Sequence, residues 1–229
     1  MQYSEIINYL KSMSNPEAVQ GMARYGINPE TAYGVSIPTL RAVAKKSGKD
    51  HALAERLWSS GIHEARILAT MVDDHRKVTS EQMDSWARDF NSWDLCDQCC
   101  NNLFRKVKFA RDKALAWSSR EEEFVKRAAF VLMACLAVHD KTSGNEEFLT
   151  HLRTIFHASQ DPRNFVKKAV NWALRQIGKR NVDLNQAAIE AANDIGQLNS
   201  GAAKWIAADA IRELTSQAVQ QRLQNKSLL

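Results

Sequence analysis

Residues 162–182 read Pro-Arg-Asn-Phe-Val-Lys-Lys-Ala-Val-Asn-Trp-Ala-Leu-Arg-Gln-Ile-Gly-Lys-Arg-Asn-Val. Stepped at about 100° per residue, Val166, Val170, Ala173, Leu174 and Ile177 fall on one side and make the core stripe of an amphipathic helix. Lys168, Trp172, Arg175 and Lys179 fall together on the other side. An indole set among cations packs on a neighbouring helix or stacks on a sugar or base. The segment holds six basic residues and no acid. The whole chain of 229 residues has 31 Lys+Arg against 26 Asp+Glu, for a net charge of +5. Without these six, the remaining 25 basic residues meet 26 acids, so the entire positive excess sits in one segment. A second cluster, Arg105, Lys106, Lys108, Arg111 and Lys113, is relieved only by Asp112. Such density is the footprint of a phosphate-binding surface, or of a solvated helix face.

The pattern of residues 162–182 repeats in kind along the chain. Capping side chains at Asn15, Ser36, Asp50, Thr79, Ser92 and Asp161, several followed by Pro or Glu, mark helix starts. Apolar positions three and four apart fill the intervals, and no alternating strand stands out. With nine Gly, four Pro and no Gly/Ser linker, the expectation is about a dozen helices in one continuous domain, 1–229. Aligning Arg66, Arg127, Lys168 and Lys204 gives spacings of 61, 41 and 36 residues. The last two approach the roughly 40-residue period of two-helix repeats, and the first leaves room for an extra helix. Such pairs stack into an all-α solenoid with a concave face, and the four cations would form a ladder along it.

Composition excludes several classes. The longest apolar run, Ala128 to Val138, is too short to span a bilayer. The start, MQYSEIINYLK, lacks the basic and apolar regions of a secretory signal. Three of the four cysteines crowd at Cys96, Cys99 and Cys100, which is no disulfide framework, so a cytoplasmic location is expected. Cys96-x-x-Cys99 with Cys135-x-x-x-His139 offers zinc-type ligands. These cysteines also occupy core-stripe positions, where free Cys is common, and no metal is expected. Phosphate-cradling glycine loops, a nucleophile elbow and a His-Glu-x-x-His pattern are absent from the sequence.

Two further places carry chemistry. On the helix from Trp93, Asp97 lies four residues after Trp93 and seven before Phe104, so all three share one edge of the apolar stripe. A carboxylate flanked by aromatics is partly desolvated and attracts a cation strongly; it also serves as a salt-bridge or capping group. Asp94 points toward Gln98 and Asn101 and reads as a solvated or capping carboxylate. Arg127 opens a helix that is apolar all round and therefore buried. It presents a planar fork to phosphate, or pairs with Glu123 one turn back.

The segments Met22-Ala23-Arg24-Tyr25, Gly34 to Arg41, Ser92-Trp93-Asp94-Leu95-Cys96-Asp97, Val125 to Ala129 and Phe165 to Arg175 resemble, in order and over residues 15–215, the AlkD-type DNA alkylation repair glycosylases. The resemblance implies a superhelical stack of antiparallel HEAT-like helix pairs holding duplex DNA in a basic concave groove. It implies hydrolysis of the N-glycosidic bond of cationic alkylpurines, of the 3-methyladenine and 7-methylguanine type, by a monofunctional enzyme without cofactor. It makes Asp97 the catalytic carboxylate, Trp93 and Trp172 the walls beside the deoxyribose, and Arg127 the phosphate-holding arginine, with Tyr25 a further contact. Arg66, Lys168, Arg175, Lys179 and Lys204 are the expected DNA-binding cations of a monomer associated with the nucleoid. Ser92, where some members carry a second Trp, and Lys204-Trp205-Ile206-Ala207-Ala208-Asp209 depart from the pattern and suggest a distinct branch. A non-catalytic solenoid for unusual DNA structures would use the same cations without needing Asp97. A protein-binding scaffold would need neither Asp97 nor the tryptophans.

Overall fold

The computed structural model describes residues 1–227, and among these every regular element is helical. The helices are α1 (Tyr3–Ser12), α2 (Pro16–Arg24), α3 (Ile37–Ser47), α4 (His51–Ser59), α5 (His63–Val72), α6 (Ser80–Arg88) and α7 (Trp93–Asn102). A 3₁₀ turn at Phe104–Lys106 leads on to α8 (Ala110–Trp117), α9 (Glu123–His139), α10 (Asn145–Ala158) and α11 (Asn164–Gly178). The chain ends with α12 (Val182–Gly196), α13 (Gly201–Leu214) and α14 (Gln217–Ser227). None of the described helices is long and apolar enough to cross a membrane.

Six of the described α-helices start at a capping side chain. Asn15, Asp50 and Thr79 accept the N–H of Ala18, Leu53 and Gln82 at 3.0, 3.0 and 3.1 Å, and Ser36 accepts that of Thr39. Each cap satisfies a backbone donor that the first turn leaves open. Two of the expected caps act otherwise. The Ser92 hydroxyl donates to Asp94 Oδ1 at 2.7 Å instead of receiving a main-chain N–H. Asp161 lies ahead of α11, whose N-cap is Arg163, and binds the side chains of Arg163 and Lys126.

The chain forms two compact units, Met1–Lys108 and Phe109–Leu229. In the first, α5 packs on α4 and lies between α3 and α7. Trp58 of α4 stacks on Trp86 of α6 with centroids 3.9 Å apart. Gly34, at φ +77°, turns the chain into α3 where a Cβ would collide with the Asn15 carbonyl oxygen. In the second unit, α9, α11 and α13 form one layer, α10 packs on α12 in another, and α8 packs on α9. Residues Ala128 to Ala137 of α9 are all buried. The α11 stripe is buried as its sequence predicts. Gly178 lets α11 approach α13, because a Cβ there would meet Leu214 at 2.7 Å. All four cysteines are free and buried, and burial pushes the Cys99 thiol well above its usual range.

Side-chain bonds between helices reveal the repeat length within each unit. In the first unit they span 31 residues at Tyr33–Glu64, Trp58–Asp89 and His63–Asp94. In the second they span 38 at Arg127–Phe165, Asn171–Asp209 and Arg175–Glu213. The long sequence interval after Arg66 therefore contains a full repeat with α7 in it. The position 31 residues beyond Arg66 is Asp97.

Candidate functional site

In the first unit the structure brings Trp93 and Tyr25 together at the start of α7, the helix that also carries Asp97. Trp93 Nε1 donates to the Tyr25 carbonyl oxygen at 2.9 Å, which ties α7 to the residue capping the end of α2. The Tyr25 ring is largely exposed and Trp93 is half-buried. Asp97, also half-buried, follows one turn later, about 6 Å along the axis. The helix thus carries a carboxylate one turn from an indole whose N–H is already engaged.

Asp94 fixes this helix start, and here the sequence expectation is corrected. Asp94 is not a solvated group: its Oδ2 lies 2.8 Å from Nε2 of the buried His63, and its side chain is 17% exposed. Burial alone would raise its pKa, but the His63 hydrogen bond and charge, with the Ser92 hydroxyl, hold it below the usual carboxylate value. One turn along α5 from His63, Arg66 is also occupied. Its Nε donates to the Trp58 carbonyl oxygen at 3.2 Å, and its guanidinium lies 5.4 Å from the Trp58 ring centroid and 3.8 Å from Asp89 Oδ2.

In the second unit, Arg127 is buried on α9 and its Nη1 donates to the Phe165 carbonyl oxygen at 2.7 Å. It thus fixes the approach to α11. On α11, Trp172 is half-buried off the core stripe, in line with Lys168, Arg175 and Lys179. The uniformly positive face expected from the local sequence is only half present. Arg175 forms ion pairs with Asp209, at 3.5 Å, and Glu213, and Lys179 reaches Glu213 at 2.5 Å. Both acids come from α13, outside the acid-free segment. Burial alone would raise the Glu213 pKa, but the two cations hold it below its usual value.

The exposed charge lies at the other end of α11. Lys168 and Lys204 are exposed, on α11 and α13 of the same layer. Between these helices Lys167 Nζ sits 4.8 Å from the ring centroid of Trp205, itself 41% exposed. The sequence reading assigned no role to Lys167 or Trp205. The available signal was Trp205 standing outside the stripe Ala202, Ala203, Ile206, Ala207 and Ala210, all of which are buried.

Among known proteins, a solved structure shares the fold and a family match covers most of the chain. A solved structure described as "a new family of proteins related to the HEAT-like repeat DNA glycosylases with affinity for branched DNA structures" superposes with a TM-score of 0.77. It covers 93% of this chain and 95% of that one at 20% identity, and establishes the HEAT-like fold. Uncharacterized proteins of Listeria monocytogenes and Listeria innocua are 22% and 24% identical over 202 residues, covering 86% of this chain and 88% of each relative. The family described as DNA alkylation repair enzyme matches residues 6–214, so the chain belongs to the DNA alkylation repair enzyme family.

Proposed function

We propose that this protein is a DNA glycosylase that releases cationic alkylpurines, of the 3-methyladenine and 7-methylguanine type, from duplex DNA. The observation that carries the reading is the α7 start: Asp97 half-buried one turn from Trp93, with the helix pinned by Trp93 on Tyr25 and Asp94 on His63. A purine alkylated at N3 or N7 is already positively charged and leaves without protonation. Bond breaking moves that charge to the sugar as an oxocarbenium-like centre. A carboxylate held in place stabilises the charge as it develops and can orient the attacking water. The Trp93 and Trp172 ring faces favour a cationic sugar. Arg127 acts through position in this reading: its fork holds the α9–α11 contact and presents what exposure it has to a phosphate. Activity needs no bound cofactor, and the abasic strand is the product.

Release of bases from methylated duplex DNA tests this directly. Asp97→Asn is expected to cut release about 10²–10³-fold, or about 3–4 kcal/mol, while duplex affinity stays within about twofold. Unchanged release by Asp97→Asn would overturn the catalytic role.

A second reading follows from a different observation. Trp205, exposed among Lys167, Lys168 and Lys204, is a surface for unpaired bases beside phosphates. A protein that binds branched or gapped DNA without cleaving a glycosidic bond would use it. No base release by the wild type, with preference for a four-way junction over duplex, would favour this reading.

A further inference from the structure

The C-terminal ends of α9 and α11 and the side of α14 enclose a cavity of about 500 Å³. Its polar lining is Lys141, Gln176, Lys179, Arg180, Asn181 and Arg222, with Ala137 and Val138 as the apolar part. Four cations and no carboxylate face it.

The cations differ in how far their charge is matched. Lys179 shares Glu213 with Arg175. Lys141 Nζ donates to the Val138 carbonyl oxygen at 2.7 Å, and Arg180 Nη1 donates to those of Ala137 and Asp140 at 2.7 Å each. These carbonyls belong to the last turn of α9 and its cap. They orient both cations at the partial negative end of the helix. Arg180 is further held over the Phe148 ring, 4.0 Å from its centroid. Burial lowers the pKa of its guanidinium despite the pull of Asp140 and Glu147. Those two carboxylates form ion pairs with Arg111. Arg222 is exposed on α14, and the Gln176 amide makes no side-chain hydrogen bond among the described residues. Lys141, Lys179 and Arg180 held by their bonds, the exposed Arg222, an open amide and a partly enclosed space give an anion receptor.

We propose that this cavity binds phosphate groups, carried either by a polynucleotide backbone or by a free di- or triphosphate. It is separate from the Arg127 contact, since ten residues of α9 place it about 15 Å further along that helix. It does not depend on the glycosylase reading, because the test uses unmodified DNA and needs no turnover.

The experiment titrates the full chain with pyrophosphate at low salt, following backbone amides by NMR, alongside a variant carrying Lys141→Ser and Arg222→Ser. Both side chains are exposed, and an unchanged melting temperature checks that the variant folds. Shifts at the amides of Lys141, Gln176 and Asn181 are expected in the wild type and lost in the variant. If a DNA backbone is the natural source, unmodified duplex displaces pyrophosphate, and the variant's salt slope for DNA falls by between one and two, at about 0.9 per phosphate contact. If a free phosphate compound is the source, pyrophosphate still binds when duplex is saturating. The proposal is overturned if these amides do not move up to roughly 10 mM pyrophosphate, a limit well above a millimolar dissociation constant. It is also overturned if they move equally in the variant.

Discussion

The two units differ in the charge that their most buried polar ties carry. In residues 1–108 the most buried ties are carboxylates turned inward, joined by Lys49 on the Met71 and Asp73 carbonyls and Arg66 on those of Trp58 and Asp89. Glu64, 1% exposed, accepts main-chain N–H bonds from Tyr33, Gly34 and Val35. Asp94 binds His63, and the fully buried Asp73 binds His51 and Gln82. In residues 109–229 the ties are cations donating to carbonyls and acids: Arg127 to Phe165, Arg180 to Ala137 and Asp140, Arg175 to Glu213. A helix stack needs lateral polar ties because its apolar stripes specify contact but only loosely specify register. The carboxylate ties of the first unit fix the start of α7, the helix that carries Asp97. The cationic ties of the second unit engage Arg175 and Lys179, whereas Lys168 and Lys204 stay exposed.

The largest expected effect lies in the first unit. Glu64→Ala orphans three main-chain donors ahead of α3 and is expected to cost about 3 kcal/mol or more, read as a lowered urea midpoint. Arg175→Met, which breaks a partly exposed tie of the second unit, is expected to cost about 1 kcal/mol or less. Equal losses would mean that the first unit does not depend on its buried carboxylate as described.

Acid sharpens the contrast. Burial pushes His151 of α10 down to about 4 from an ordinary 6.5, with Glu147 opposing and Arg111 reinforcing that shift. The unfolded chain then binds this proton more readily than the folded one, so stability from neutral His151 is present above pH 6.5. It is lost as pH falls toward 4, by about 3 kcal/mol in all. In the first unit Asp94, with its pKa held low, loses its contribution only below its ordinary 3.8. Asp73, pushed up mainly by burial, contributes in the opposite sense: stability gained on acidification and lost as pH rises through its folded pKa. Hydrogen exchange should therefore find α10 opening before α5 and α7 between pH 6 and 4. His151→Gln should abolish that order, and α5 opening first in the wild type would contradict it.

Much of the fold was legible in the sequence because its signals are local. The caps at Asn15, Ser36, Asp50 and Thr79 and the stripe of α11 are set within one or two turns, and the helices form where those signals lie. Ser92 and Asp161 misled because their side chains found lateral partners, Asp94 in one case and Arg163 with Lys126 in the other. At the site, the shared edge of Trp93 and Asp97 follows from helical geometry alone, but Phe104, expected on the same edge, lies past the end of α7 in the 3₁₀ turn, buried beside Trp86 and Phe90. The His63 partner of Asp94 is 31 residues away, and the α13 acids facing Arg175 and Lys179 are 34 to 38 away. No window of one helix contains such partners, so Asp94 read as a solvated or capping group and α11 read as uniformly basic.

The charge accounting across α11 predicts which cations bind DNA. Lys168→Ser with Lys204→Ser removes two exposed charges and should reduce the salt slope of duplex binding by nearly two. Arg175→Met with Asp209→Asn removes one charge of each sign and should leave the slope almost unchanged. A larger effect from the second pair would mean that Arg175 leaves its acids on binding.

The smallest expected effect tests Trp205. Its ring is 41% exposed and touches Lys167, while the buried side of α13 is made by Ala203, Ile206 and Ala210. Trp205→Ala therefore removes surface and one cation–π contact but no core packing, and should change stability by less than about 1 kcal/mol. If the ring stacks on an unpaired base, affinity for a gapped or four-way-junction DNA falls by about 1 kcal/mol or more, and affinity for a continuous duplex hardly moves. The difference arises because a paired base is already stacked on both faces and offers no free surface. Trp205→Phe keeps an aromatic face and should restore most of the preference, whereas Trp205→Leu keeps apolar area without the π face and should not. Equal loss on gapped and continuous DNA would mean that Trp205 only orients Lys167 toward phosphate, making this end of α11 a purely electrostatic contact.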